Sequence, residues 1–227
     1  MKIAAFETST EWCSVALWMD GEIASVEERA GHGHSERVLP MLERLAAQAG
    51  MPLSALDAVA FGAGPGSFTG LRIASGVAQG IAYARAIPAI GVSTLEAIAE
   101  ESGATRVAAC LDARMHEVYY SALERRDGRW REVIPALCAA PAAVPKPPGT
   151  GWIGCGNGFA VYGQMGFANT MPEIHPTAVA VARLSAPRLA AGEGVDAALA
   201  VPVYVRDKIA WTEAEREKSR AGARETP

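Results

Sequence analysis

The stretch that decides the fold reads Gly62-Ala63-Gly64-Pro65-Gly66-Ser67-Phe68-Thr69-Gly70-Leu71-Arg72. It follows the apolar run of residues 58–61 and opens a segment with helical spacing of apolar residues. Glycines permit positive φ and close backbone approach, and N–H groups at a helix start attract negative charge. The pattern therefore predicts a strand, a phosphate-type loop and a helix. No lysine follows Gly70, and Ser67 stands where a dinucleotide fingerprint has its third glycine, so the loop matches neither nucleotide motif.

The composition is that of an ordinary globular chain. It has 227 residues, 50% of them hydrophobic, and a formal net charge of −4. This length allows one large core or two small lobes. Without an overall basic field, contact with RNA would need a local patch or a more basic partner. Glu7 interrupts the apolar start and no apolar run approaches membrane-spanning length, so we expect a cytoplasmic protein without membrane contact.

Four cysteines, Cys13, Cys110, Cys138 and Cys155, are widely separated along the chain. They lack the paired spacing of zinc sites, and two of them lie in strand-like apolar runs. We interpret them as reduced cysteines with a structural role.

Strands are predicted at the start of the chain, over residues 2–6, Trp12–Met19 and 22–27. The last two are joined by Asp20-Gly21, a strong hairpin dipeptide. The first part of the chain therefore begins a sheet.

Helices and strands alternate after this sheet. Ser35 is predicted to cap a helix over residues 35–49, which Gly50 closes and in which Pro40 causes a kink. Beyond the glycine loop the predicted elements are a helix over Phe68–Arg85, a strand over residues 89–92, and a helix capped by Ser93 with Glu96 three residues later.

The pattern restarts near residue 106, which predicts a second, smaller lobe. Its predicted elements are strands over residues 107–111, 117–123 and 130–134, an irregular Ala- and Pro-rich segment over 135–148, a strand from 152 into glycines, a helix over 177–191, and a last strand over 201–205. We divide the chain into an N-terminal lobe (1–102), a C-terminal lobe (103–211) and a charged tail (212–227). The two sheet-based lobes favour the actin-like and sugar-kinase ATPase architecture.

Several motifs resemble the TsaB (YeaZ-like) family. They are Phe6-Glu7-Thr8-Ser9-Thr10, Cys13-Ser14-Val15-Ala16-Leu17, His34-Ser35-Glu36, the glycine block over residues 64–72, Gln79-Gly80, Pro88 to Ala97, Asp112-Ala113-Arg114 with Glu117-Val118-Tyr119, and Pro202-Val203-Tyr204-Val205-Arg206. The resemblance covers nearly the whole chain except about 135–172 and the tail. It implies an α/β fold of two ribonuclease-H-like lobes in the actin-like/sugar-kinase superfamily, with the second lobe reduced.

The same resemblance implies a function. TsaB is the dimerisation subunit of the bacterial complex that makes tRNA threonylcarbamoyladenosine, beside the catalytic paralogue TsaD and the small ATPase TsaE. The implied partners are thus a TsaD-like paralogue, a TsaE-like ATPase, a second copy of the chain when it is alone, and tRNA only through the complex. No cofactor is implied.

The resemblance also suggests that the chain is not the catalytic paralogue. TsaD carries two metal-binding histidines four residues apart on one helix, and the matching positions here are Thr94 and Ile98. Neither side chain can replace an imidazole as a metal ligand. We therefore predict a subunit without catalytic residues and without a metal.

The four histidines do not restore a catalytic site. His32-Gly33-His34 is interpreted as a loop with polar tips rather than a metal pair, and His116 and His175 as surface or hydrogen-bonded residues. The sequence contains no His-Glu-x-x-His motif, and no Ser, His and Asp triad can be argued from residue order. A peptidase is therefore the least favoured alternative.

Two loops are candidates for a vestigial nucleotide or phosphate site. They comprise Thr8, Ser9 and Thr10 after the first strand and Gly64, Gly66, Ser67 and Thr69 of the glycine loop. The alternative is that both loops now serve turn geometry and partner contact. Glu7 departs from the family, which generally has Asp at this position.

The glycine helix suggests a partner surface, because Gly76, Gly80 and Ala84 recur every four residues and form a small-residue ridge. Such a ridge admits another helix or packs under its own sheet. The resemblance favours the first alternative, since in TsaB the helices matching residues 35–49 and 68–85 form the interface with a second copy or with TsaD. The predicted interface residues are Val38, Leu42, Leu45, Arg72, Gly76, Gly80 and Ala84.

Two functions from different classes are compatible with these patterns. The first is a non-catalytic scaffold that docks and activates the catalytic paralogue. The second is an autonomous ATPase or kinase of the same fold, which would require a catalytic carboxylate, for which Asp20 and Asp112 are the candidates. A hairpin turn explains Asp20, and Asp112 ends a strand where it can fix a loop.

Overall fold

Two five-stranded sheets form the frame of the protein. The computed structural model describes residues 1–31 and 33–206. The first sheet contains β1 (Lys2–Glu7), β2 (Trp12–Met19), β3 (Glu22–Arg29), β4 (Ala58–Gly64) and β5 (Ala89–Ser93). The second contains β6 (Arg106–Asp112), β7 (Val118–Arg126), β8 (Arg129–Ala139), β9 (Ile153–Cys155) and β10 (Asn169–Met171). The fold is therefore mixed α/β with two sheets.

The helices differ between the two halves. The first half contains α1 (His34–Gln48), α2 (Phe68–Arg85) and α3 (Thr94–Glu101). The second contains α4 (Gly158–Tyr162) and α5 (Ala178–Ala190). Short 3₁₀ turns lie at Leu53–Ala55, Pro141–Ala143 and Ala197–Leu199. No helix in this described part of the chain is both long and apolar enough to cross a membrane.

The two sheets have the same topology. The first has the order β3-β2-β1-β4-β5 and the second, taken from its other edge, β8-β7-β6-β9-β10. In each sheet the first three strands form an antiparallel meander, and the remaining two join in parallel beside the first strand. Each half thus repeats one plan, in which a meander is followed by two parallel strands.

Alternation along the strands places the cores on both faces of the sheets. On β1, Ala4 and Phe6 face a core shared with α1 and α2, whereas Ile3 and Ala5 face a core shared with α3 and α5. This second core also includes residues of β6, so it joins the two sheets. Helix α5 follows the second sheet in sequence but packs across β1 and β2 of the first.

The first half agrees closely with its sequence pattern. Helix α2 has the predicted bounds Phe68–Arg85, and the hairpin turn lies at Asp20-Gly21. The predicted cap at Ser35 is wrong, because α1 begins at His34 with Gly33 at the N-cap. A turn in which Gly33 N donates to Ala30 O (2.9 Å) brings the chain into the helix earlier. Pro40 lies inside α1.

Strand β8 corrects the prediction of an irregular segment from residue 135. It continues through Pro135 to Ala139 at the edge of the second sheet. Ile134 pairs with Ala122 and Leu137 with Tyr120, so one extra residue is accommodated at a register shift. Proline is tolerated at edge strands and bulges because no ladder hydrogen bond needs its missing N–H.

The predicted last strand over residues 201–205 is also wrong. Val203 N donates to Ala63 O (2.8 Å), but residues 201–206 form no strand. Strand β4 is already paired with β1 on one side and β5 on the other, so it offers no free edge to this segment. The charged tail over residues 212–227 lies outside the described residues.

Three of the cysteines are buried and none forms a disulfide. Burial raises the pKa of the Cys13 thiol to about 11, that of Cys110 to about 12 and that of Cys155 to about 11. These thiols stay protonated and pack as small apolar groups.

Candidate functional site

The glycine loop connects the buried strand β4 to α2. Ser67 caps the helix, and its hydroxyl accepts a hydrogen bond from Gly70 N (3.4 Å). Gly64 has a φ of +114°, a conformation that side-chain-bearing residues rarely adopt. A Cβ on Gly70 would overlap the carbonyl oxygen of Thr8. Glycine is therefore required here for a tight turn and for close contact with the loop after β1.

The two candidate phosphate loops bind each other. Ser67 N donates to Ser9 O (2.8 Å), and Thr8 Oγ1 donates to Gly70 O (2.8 Å). Ser9 N donates to the Glu7 carboxylate oxygen Oε1 (2.6 Å). The amide donors of Ser9, Ser67 and Gly70, which a phosphate would use, are thus already bonded within the protein. Thr10 Oγ1 accepts from Trp12 N (3.3 Å).

Glu7 is buried at the end of β1. Burial raises the pKa of its carboxyl group, while hydrogen bonds from Ser9 and Thr8 oppose that shift. Gly62 on the adjacent β4 leaves room for this group, since a Cβ there would overlap the carboxyl oxygens. The buried glutamate is therefore accommodated by a glycine on the neighbouring strand.

A cavity of about 520 Å³ separates these loops from the second half. We call it the central cavity; its walls include Ser9, Thr69, Asp112, Arg114, Asn157 and Arg206. Asp112 Oδ1 accepts from Tyr162 OH and from Arg114 N (both 3.0 Å), and Oδ2 pairs with Arg114 Nη1 (3.2 Å). This carboxylate is engaged in fixing its loop. Asp20, the other candidate carboxylate, pairs with the N-terminal amino group at the β2–β3 hairpin.

The small-residue ridge of α2 faces outward. Gly76, Gly80 and Ala84 are exposed, and a Cβ on either glycine would meet nothing within 4 Å. Arg72 is exposed on the same helix. The side of α2 that packs on the sheet consists instead of Leu71, Ala74, Ser75, Ala78 and Ala82. Packing beneath its own sheet therefore does not explain the ridge.

Three predicted interface residues are placed differently. Val38, Leu42 and Leu45 are buried in the core between α1, α2 and the first sheet, so their side chains do not face a partner. Their helical spacing is the core-facing stripe of α1. The exposed apolar side chains of these two helices include Leu39 on α1 (44% exposed) and Tyr83 on α2 (85% exposed), and helical spacing places Tyr83 beside Gly80.

Sequence reasoning missed these two residues. The available signal was that each is a large apolar residue outside the buried stripe of its helix: Leu39 follows the buried Val38, and Tyr83 follows the buried Ala82. Large exposed apolar side chains that border an open helix surface are typical of interaction sites.

The two positions that match the metal-binding histidines of the paralogue are in the core. Thr94 and Ile98 lie on α3 and are completely buried. His34 is buried at the start of α1, while His175 stacks on Trp12 with ring centroids 4.8 Å apart. Within residues 1–31 and 33–206, no three His, Cys, Asp or Glu side chains come together as a metal site. His32 of the rejected metal pair lies outside the described residues.

Comparison with known proteins agrees with this architecture. The family model described as "TsaD: tRNA N6-adenosine threonylcarbamoyltransferase" matches residues 25–213. The tRNA threonylcarbamoyladenosine biosynthesis protein TsaB of Escherichia coli K12 is 36% identical over 224 residues, which is 93% of this chain and 97% of that protein. This chain belongs to the TsaB family.

Other members of the TsaB family support the same assignment. The TsaB protein of Haemophilus influenzae is 36% identical over 93% of this chain and 96% of its own length. The solved structure of YeaZ from Pseudomonas aeruginosa is 41% identical, covers 89% of this chain and 99% of its own, and superposes with a TM-score of 0.85. The family drawn from the sequence motifs is thus confirmed.

Proposed function

We propose that this chain is a non-catalytic docking subunit for tRNA threonylcarbamoyladenosine biosynthesis. It would bind a TsaD-like paralogue, which carries out threonylcarbamoyl transfer to the adenosine beside the anticodon. The observation that carries the proposal is the exposed ridge of α2, where Gly76 and Gly80 leave open space on a helix surface. The proposed pathway rests on the TsaB relatives, whose names assign them to tRNA threonylcarbamoyladenosine biosynthesis.

The chemistry of the described residues supports a subunit that does not catalyse. Thr94 and Ile98 occupy buried positions that cannot supply metal ligands. Asp112, the carboxylate that lines the central cavity, is held by Tyr162 and Arg114. A catalytic base needs access to a substrate proton, and these contacts occupy the carboxylate.

The ridge suits a helix from the partner. Glycines let two helix backbones approach closely, and the exposed Tyr83, three residues after Gly80, adds apolar area beside the ridge. We propose that a second copy of the chain uses this surface when the catalytic paralogue is absent. A TsaE-like ATPase would join the assembly, and tRNA would be contacted through the complex, in keeping with the net charge of −4. We propose the cytoplasm as its compartment.

We assign the two halves to ribonuclease-H-like lobes of the actin-like/sugar-kinase superfamily, with boundaries at 1–102 and 103–211. The support is that both sheets repeat one strand order, with a long helix after β4 and only a short one after β9. The candidate nucleotide loops at residues 8–10 and 64–69 are proposed to serve turn geometry, because their hydrogen bonds are directed at each other. Calorimetric titration of the isolated chain with ATP should show no sub-millimolar binding.

The experiment that tests docking is a substitution on the ridge. Gly80→Leu should weaken assembly with the catalytic paralogue roughly tenfold or more, because the added side chain prevents close helix approach. Ala190→Leu adds three of the same four carbon atoms at an exposed position on α5, on the other face of the first sheet, and should leave assembly unchanged. Light scattering gives the mass of the complex, and circular dichroism checks that both variants fold. An unchanged complex mass for folded Gly80→Leu would remove α2 as the docking surface.

A further inference from the structure

Residues 203–206, which we name the C-terminal strap, contact both halves of the molecule. Val203 N donates to Ala63 O (2.8 Å) near the end of β4 in the first sheet. Three residues later, Arg206 reaches the turn between β6 and β7 of the second sheet. The strap also lines the central cavity. A segment without regular structure thus crosses from one half to the other.

The first end of the strap rests on the start of α2. Tyr204 OH accepts a hydrogen bond from Arg72 Nε (3.2 Å), and the rings of Tyr204 and Phe68 lie 5.6 Å apart. The guanidinium carbon of Arg72 lies 3.7 Å from the centroid of the Phe68 ring. These three side chains form one cluster, which combines a cation–π contact, a tilted aromatic pair and a hydrogen bond. The strap therefore touches the helix that we propose as the docking surface.

The second end holds a strained turn. Arg114, Met115 and His116 all have positive φ, between 56° and 61°. Side-chain-bearing residues rarely adopt this conformation in succession, and it persists only where surrounding contacts impose it. Arg206 Nη2 donates to Ala113 O (2.9 Å) and to the carboxylate Oε2 of Glu117 (2.6 Å), one on each side of the strained residues.

We propose that the strap transmits docking on α2 to the β6–β7 turn and so sets the shape of the central cavity. The coupling rests on the docking role proposed above for α2. It runs through a continuous set of contacts, from Arg72 and Phe68 to Tyr204, along the strap to Arg206, and on to the turn that carries Arg114. A partner that reorients the exposed Arg72 would move Tyr204 and thereby change the hold of Arg206 on the turn.

Hydrogen exchange of the full chain tests this coupling without any partner. The amides of Ala113 and Glu117 are hydrogen-bonded within the turn, so their exchange rates report its opening. Tyr204→Ala removes the hydrogen bond and the ring contact with α2, so the strap loses its first anchor and exchange over residues 113–117 should speed up roughly tenfold. Arg206→Met keeps a long side chain but removes the donors to Ala113 O and Glu117, and should speed exchange both in the turn and at Gly70 and Leu71.

Val201→Ala is the matched control, since Val201 is exposed and precedes the strap. It should change neither region. Unchanged exchange over residues 113–117 in Tyr204→Ala would overturn the proposal. It would do so even if Arg206→Met speeds exchange in the turn, because Arg206 would then stabilise the turn only locally. Because this measurement needs no second protein, its failure leaves the docking function standing. A loss of docking in Gly80→Leu with coupled exchange intact would support both proposals separately.

Discussion

The two sheets share one strand order but differ in the helices that come after their parallel strands. In the first half β4 leads into α2, an 18-residue helix with an open ridge, whereas in the second β9 leads into α4, which has five residues. The helix between the meander and the fourth strand is likewise long in the first half, as α1, while a short 3₁₀ turn occupies the corresponding stretch of the second. One topology therefore carries two different surfaces, and the docking surface that we propose lies in the half that contains α1 and α2.

Strands β4 and β9 each lead into a run of glycines, and the two runs pack differently. In the first run, Gly70 permits contact with the Thr8 carbonyl at the start of an exposed helix. In the second, Gly154 lies under the ring of Phe159, and Gly156 lies against the carbonyl of Cys110. Both runs allow close backbone approach, but only the first opens a long surface helix. Glycine content alone thus does not distinguish the start of a long surface helix from a packed turn.

The largest effect is expected from Gly156→Ala in the second run. The residue has a φ of +111°, and a Cβ would overlap Cys110 O, so strain and overlap add to a loss of about 3 kcal/mol in the free energy of unfolding. Gly128 also has a positive φ, but a Cβ there would meet no neighbour. Gly128→Ala should therefore lose only about 1 kcal/mol in the free energy of unfolding, which measures the backbone strain without the overlap. Urea unfolding gives both values. Equal losses would show that the backbone approach to Cys110 is unimportant.

The next effect is expected from Gly70→Ala in the first run. Its Cβ would overlap the Thr8 carbonyl, but alanine is the better helix former, so the net loss should be about 2 kcal/mol in the free energy of unfolding. Gly76→Ala on the same helix meets no neighbour and should gain about 0.5–1 kcal/mol. The same urea titrations measure both. A stabilised Gly70→Ala variant would refute the account of the loop contact.

The alternation of strands and helices made most of this fold predictable. Local signals sufficed where they were strong, as in the hairpin at Asp20-Gly21 and the helix Phe68–Arg85, which begins after a capping serine. The end of β8 and the course of residues 201–206 were not predictable, because they depend on which strand edges the rest of the chain leaves free. Pro135 in an edge strand gives the same sequence signal as a loop.

The site was predictable in composition and less so in orientation. Gly76, Gly80 and Ala84 share one side of α2 by spacing alone, but whether that side faces the sheet or solvent depends on tertiary packing. The same dependence on tertiary packing explains why Val38 and Leu42 were predicted to face a partner. Their apolar spacing instead marks the side of α1 that faces the core. The contacts of Arg206 link residues about ninety positions apart, and no local pattern announces them.

The smallest effect concerns a contact between the halves. His175 Nε2 lies 2.9 Å from Glu27 Oε1 at the edge of the first sheet. This hydrogen bond raises the pKa of the imidazole, and burial opposes the shift. The nearby carboxylate of Glu101 also raises the pKa. Because the folded pKa lies above the unfolded value, the stabilisation is complete at pH below the unfolded pKa and is lost as pH rises through the folded pKa. Over this rise in pH we expect the free energy of unfolding to fall by about 0.5 kcal/mol.

Urea unfolding at a series of pH values measures this contribution. His175→Gln should remove the dependence, while His116→Asn, at an exposed position with positive φ that asparagine tolerates, should retain it. The same pH dependence in His175→Gln as in the parent chain would assign the effect to other groups.

The most direct test of the central claim is threonylcarbamoyl transfer to tRNA by a reconstituted complex. The assay is run with this chain omitted, with this chain present, and with this chain as the sole candidate transferase. A docking subunit predicts that modification requires the chain and that the chain alone transfers nothing. Transfer by the chain alone would contradict the argument from Thr94 and Ile98, and full modification without it would contradict the docking function.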